Sequence, residues 1–147
     1  MTESGTPTVG DVLDSSGRSP AAAVSPAGGS LLPVAVDGVR FPDYEAKFGW
    51  SAVGRRTDEI DGRDVTTVFY KQGRERVSYS IVAGKALPEP DGRDIQAEGT
   101  RLRRLDAGNA VTWRRLGHTC VMDGSSAVSL ETVSELAGWT AKGKVAF

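Results

Sequence analysis

The sequence holds one cysteine, Cys120, and one histidine, His118. A lone cysteine excludes an intrachain disulfide, and a structural zinc site would have to be assembled without the cysteine pairs such sites use. The longest apolar run, Leu31 to Val36, falls far short of the roughly 20 residues that span a bilayer. The opening Met1-Thr2-Glu3 lacks the basic start of a secretory signal. Neither sign of charge prevails, with 18 Lys and Arg against 19 Asp and Glu, so net charge selects no partner. The glycines form neither a GxGxxG turn nor a phosphate-cradling loop. Metal, cofactor and catalytic sites are therefore all expected to be absent.

What is present is distributed unevenly. Residues 1–38 are rich in Pro, Ala, Ser and Gly and lack a sustained helical or strand period, which predicts a disordered linker. Within it, residues 9–13 allow one turn of helix, and Leu31-Leu32-Pro33-Val34 allow a docking contact. Residues 39–140 are expected to form a single α+β domain, with 141–147 as a C-terminal tail.

The domain opens with an extended stretch ending at Phe41-Pro42, because a residue before proline is pushed out of the helical region. Asp43 then caps a short N-terminal helix over residues 44–48, stopped by Gly49, with Trp50 packing back over it. Strands follow over 50–56, 57–60 and 65–70, the last two joined by Asp61-Gly62, a pair suited to a type I′ hairpin turn. Gln72-Gly73-Arg74 makes the next turn. Val77, Tyr79 and Ile81 alternate with Ser78 and Ser80, so that strand buries one face. Two prolines and Asp91-Gly92 make residues 87–92 a surface loop. Strands over 100–105, 111–116 and 118–122 complete an antiparallel β-meander of five or six strands. A C-terminal helix capped by Ser129 turns Leu130, Val133, Leu136 and Ala137 towards the sheet, and Gly138 ends it with Trp139 folding back on Val133.

Few residues offer chemistry. His118 and Cys120 are two apart on a predicted strand and so share a face, the arrangement a thiol-dependent enzyme would need. Equally, a strand cysteine is commonly a small buried hydrophobe, and no third orienting residue is apparent. Asp58 with Glu59, and Asp61 with Asp64, flank a hairpin turn where solvated acids are expected. Arg101, Arg103, Arg104, Arg114 and Arg115 form a basic run against the single acid Asp106. That run is either a weak nucleic-acid face or the solvated side of its strands; the second reading is the ordinary one, and no nucleic-acid partner is expected. Trp139, Arg114 and Arg115 are the candidates for a partner surface.

Several motifs point to relatives. Val39-Arg40-Phe41-Pro42-Asp43, Phe48-Gly49-Trp50, Thr66-Thr67-Val68-Phe69-Tyr70, Val111-Thr112-Trp113-Arg114-Arg115 and Gly117-His118-Thr119-Cys120-Val121 resemble the extracytoplasmic, C-terminal domain of actinobacterial membrane-anchored anti-sigma factors. The likeness covers about residues 39–139. It implies a non-enzymatic sensory or regulatory outer module that acts through contact with a protein or a small-molecule ligand to regulate transcription, at the extracytoplasmic face of the cell membrane. In that family a His-x-x-x-Cys-x-x-Cys zinc region holds the sigma factor, and one membrane helix links it to the outer domain. This sequence contains neither, so zinc, sigma-factor and membrane binding are carried onto no residue here. Two accounts follow: a piece of a longer membrane protein that starts just after such a helix, or a complete protein that keeps only the outer domain. The composition of residues 1–38 favours the first, as a tether reaching about 30 Å or more as a coil.

Overall fold

The computed structural model describes residues 7–24, 29–97, 99–106 and 108–147. The fold is α+β and mostly antiparallel sheet. Helix α1 is Val9–Ser15, strands β1 Leu31–Val36 and β2 Val39–Pro42 form a two-stranded hairpin, and α2 is Glu45–Phe48. Strands β3 Ser51–Ile60, β4 Arg63–Gln72, β5 Glu75–Val82, β6 Arg93–Ala97, β7 Thr100–Arg104, β8 Asn109–Arg115 and β9 His118–Gly124 form a seven-stranded sheet, and α3 is Leu130–Gly138. The order across the sheet is β3-β4-β5-β9-β8-β7-β6, with every neighbouring pair antiparallel. Two meanders, β3 to β5 and β6 to β9, thus meet along the β5–β9 seam.

The strand count exceeds the five or six expected from sequence. The strands expected over 50–56 and 57–60 are one, β3, which starts at Ser51. Arg93–Ala97 is a strand that its polar composition concealed, since it carries one β-branched residue. Residues 31–42 form a hairpin about Asp37 and Gly38, at φ 49° and 82°. Asp61 and Gly62, at 49° and 84°, repeat that geometry, as a type I′ turn requires.

The linker reading of residues 1–38 is corrected over the described part of that stretch. Thr8 and Asp11 cap α1 reciprocally, each side chain accepting from the other's backbone N–H at 3.1 and 3.0 Å. Val9 and Val12 are buried against Val65, Val82, Ala110 and Val121 of the sheet. Beyond α1, Arg18 pairs with Asp58 at 2.9 Å. The Ala21 and Ala22 N–H groups donate to the Arg55 carbonyl at 2.9 and 3.0 Å, and Arg55 N–H returns to the Ala22 carbonyl at 2.9 Å. The order comes from long-range burial, which a composition count does not see. Residues 1–6 and 25–28, also assigned to the linker, lie outside the described residues, as does Ala107 of the turn before β8.

Alternation along each strand gives the sheet two buried faces. One carries Val68, Tyr70, Val77, Tyr79, Ile81, Val111, Trp113, Cys120 and Met122, covered by β1, β2, α2 and α3. Tyr79 stands edge-on between Phe41 and Trp113, with ring centroids 5.3 and 5.1 Å away. Each such buried ring contributes roughly 2 kcal/mol by removal of apolar area from water. The Tyr44 hydroxyl donates to the Leu136 carbonyl at 2.8 Å and that of Tyr70 to the Pro42 carbonyl at 2.7 Å, tying the covering layer to the sheet. The second face holds Val65, Thr67, Ser80, Val82 and Val121, where Thr67 and Ser80 bond each other at 2.7 Å under α1.

Helix α3 begins as expected, with Ser129 accepting from Thr132 N–H at 3.1 Å. Its end differs. Gly138 is not left-handed; a Cβ there would strike the Ala97 carbonyl of β6, so the glycine lets helix and strand touch. Trp139 packs against the core cluster that includes Val133, and its ring meets Tyr44 and Phe48 with centroids at 5.8 and 5.4 Å. Among the described residues no helix is long and apolar enough to cross a membrane, which leaves strand-built spanning unaddressed.

Candidate functional site

Residues two apart on a strand share a face, so Arg101 and Arg103 of β7 and Thr112 and Arg114 of β8 all project from the α1 side of the sheet. With Thr119 of β9 and the segment 87–90 they enclose a cleft of about 190 Å³, which Val9 of α1 closes at one side. The segment is tied down from below. Leu87 N–H donates to Thr119 Oγ1 at 2.7 Å, Arg114 Nη2 to the Leu87 carbonyl at 2.9 Å, and Arg103 Nη1 to the Pro90 carbonyl at 2.8 Å.

The three guanidiniums differ in their counter-charges. Asp94 of β6 accepts from Arg101 Nη2 at 2.9 Å and from Arg103 Nε at 3.0 Å, and Glu89 lies 3.6 and 3.7 Å from the same two arginines. Those hydrogen bonds hold the Asp94 carboxyl below its usual range. Arg114 has no carboxylate within ion-pair distance among the described residues, only the Leu87 carbonyl. The cleft therefore carries one uncompensated cation beside a self-neutralising group of four charges.

The expected basic run is thus divided by strand alternation. Arg101, Arg103 and Arg114 converge on the cleft, while Arg104 lies beside Arg93 in another depression of the surface. Arg115 turns to the opposite face and is 1% exposed. There its Nη1 donates to the Tyr79 hydroxyl at 2.9 Å and its Nε to the Ala146 carbonyl at 2.7 Å, with the Phe147 ring 5.6 Å away. The residues read as a tail thus seat the buried cation. Trp139, the other candidate for a partner surface, is half-buried in the aromatic cluster already described.

His118 and Cys120 do share a face, but their side chains engage different partners. His118 Nδ1 lies 3.1 Å from the Val82 carbonyl and 3.8 Å from Asp37. Cys120 is fully buried, and burial pushes its thiol up to about 12. A thiol so placed holds its proton at neutral pH and is a weak nucleophile. Among the described residues no group of three His, Cys, Asp or Glu is placed to hold a metal ion.

The residues that complete the cleft, Glu89, Asp94, Thr112 and Thr119, were not singled out from sequence. Asp94 and Glu89 lie beside or within a segment whose prolines and Asp-Gly pair predict a loop, and the motifs that hold Thr112 and Thr119 point to relatives without marking either threonine as a site residue. A second group missed is Asp123 of β9, which shares a small hollow with Ser16, Ser78 and Arg76. Burial pushes its carboxyl up to about 6. No protein-family profile, curated protein or solved structure matches this chain.

Proposed function

We propose that this chain is a non-enzymatic sensory module that takes a compact anion, a carboxylate or phosphate group, in the cleft between β7–β9 and the 87–90 segment. The observation that carries this reading is Arg114, an exposed guanidinium that lines the cleft with no carboxylate within ion-pair distance among the described residues. Arginine presents a rigid fork of donors that suits such groups. A volume of about 190 Å³ is below the usual range for drug-sized ligands and suits a small one. Because the 87–90 segment hangs on Arg114, Arg103 and Thr119, an anion that drew Arg114 away from the Leu87 carbonyl would loosen that segment, giving the site a structural output. The protonated, buried state of Cys120 favours this reading over a thiol-dependent enzyme.

The regulatory half of the proposal rests on the resemblance to the outer domain of membrane anti-sigma factors. On that reading the module regulates transcription through zinc-binding and membrane parts that this sequence does not contain, from the extracytoplasmic face of the membrane. It predicts that the DNA upstream of Met1 encodes an apolar helix of about 20 residues and a His/Cys zinc motif. Upstream DNA with neither would refute the regulatory half.

The ligand half is tested by titrating inorganic phosphate and citrate into the protein calorimetrically at low ionic strength. Saturable binding is expected, lost in Arg114→Ala with its melting temperature nearly unchanged. Absence of binding by both anions, or binding that survives the substitution, would overturn it.

A further inference from the structure

The two edges of the seven-stranded sheet are treated differently. At β3, the chain covers the middle of its own edge: the 20–22 segment exchanges three backbone hydrogen bonds with Arg55. A Cβ on Gly54 would lie 2.6 Å from Pro20 Cβ, so the contact is close-packed. At β6 no further strand pairs among the described residues, and alternate residues of an antiparallel edge strand turn their N–H and C=O groups outward. The β6 edge is not blunted by a bulge, since its five residues keep unbroken register with β7.

Beside that edge runs a groove between β6 and the first turns of α3. Its floor and walls are Ile95 and Ala97 of β6 and Leu130 of α3, all half-buried. Ser134 also lines it, 7% exposed, with an Oγ that has no hydrogen-bond partner among the described residues. A buried hydroxyl left unpaired is costly, and a bound donor or acceptor would recover that cost. On the outer wall stand Glu131 and Glu135, both exposed, neither within ion-pair distance of a cation among the described residues. An open strand edge, an apolar floor and a helix flanking them are the parts of a site where an extended peptide adds itself to a sheet.

We propose that the β6–α3 groove binds an extended basic segment of a partner protein, which pairs with β6 as an eighth strand. Apolar side chains of the segment would sit over Ile95, Ala97 and Leu130, and Lys or Arg side chains would meet Glu131 and Glu135. The site is separate from the Arg114 cleft, on the other face of the sheet, and stands or falls independently of it.

The probe is a fluorescein-labelled octapeptide alternating Lys and Val, titrated into the full chain by fluorescence anisotropy, with N-methylated and Glu/Val versions as controls. Saturable binding is expected for the Lys/Val peptide. It should weaken about tenfold in Glu131→Lys/Glu135→Lys, as expected for removing and reversing two exposed ion pairs. N-methylation of alternate backbone nitrogens should abolish it when the blocked face is the one that pairs. Arg114→Ala should leave it unchanged. Amide hydrogen exchange of residues 93–97 should slow on binding. No binding, binding that ignores N-methylation in both phases, or equal affinity for the Glu/Val peptide would each overturn the proposal.

Discussion

Asp123→Asn should stabilise the protein at neutral pH, and the gain should vanish in acid. Asp123 sits on β9 opposite Ser78 and Ala110, in the hollow under the α1 segment. Burial raises its carboxyl from the usual 3.8 to about 6, so ionising it costs more in the folded chain than in the unfolded one. Between pH 4 and 6 the folded state keeps a proton the unfolded state has released, and linkage makes stability fall as pH rises through that window. Above pH 6 the penalty is fully developed; below pH 4 it is gone. A gap of about 2 pK units gives a ceiling of about 3 kcal/mol. Asp123 remains partly open to water, and screening reduces the expected effect to roughly 1 kcal/mol, or about 3 °C in melting temperature for a chain of this size. Urea melts of both proteins at half-unit steps from pH 4 to 7.5 isolate the effect as the difference in unfolding free energy, with other titrating groups cancelling. That difference should rise across pH 4 to 6 and then level. A flat difference, or a variant less stable than wild type at pH 7, would refute the reasoning.

Deleting residues 146–147 removes the carbonyl that holds Arg115 Nε at 2.7 Å and leaves a buried cation short of a partner. A loss of about 2 kcal/mol is expected in a urea melt, and an unchanged midpoint would show that the C-terminal segment does not serve Arg115. Because its thiol is pushed up to about 12 in a fully buried site, Cys120 should react with iodoacetamide at pH 7 only as fast as the protein opens. Labelling at the rate of an unfolded control would contradict that burial. Leu116 is 54% exposed at φ 50° in the turn between β8 and β9, a backbone region that disfavours side chains other than Asn, Asp and Gly. Leu116→Asn should therefore add about 0.5–1 kcal/mol, read as a higher urea midpoint with unchanged slope.

Much of the sheet was legible residue by residue, and the legible parts share a physical cause. Asp61-Gly62 supplies the positive φ pair that a two-residue hairpin demands, and the alternation of Val77, Tyr79 and Ile81 with serines reports a half-buried strand locally. Ser129 and the apolar stripe behind it marked α3 for the same reason, since capping and helical period are local. Asp37-Gly38 carries the same signature as Asp61-Gly62, but the Pro- and Gly-rich stretch before it masks the hairpin. The cleft was less legible. Arg101, Arg103 and Arg114 stand out in the sequence as charge, but it does not show that Arg115 lies on the other face or that Asp94 and Glu89 together neutralise two of the three.

By itself, the sequence determined the turns, the strand periods, the C-terminal helix and the exclusion of disulfides, because each depends on residues within one turn or one hairpin of each other. Only the tertiary structure decided that residues 7–24 belong to the fold, that Gly138 serves a close approach and not a left-handed stop, and that Arg115 is buried beside Tyr79. Those outcomes rest on contacts between residues 36 to 62 positions apart, where the burial that stabilises a segment is supplied by partners its own neighbourhood does not contain.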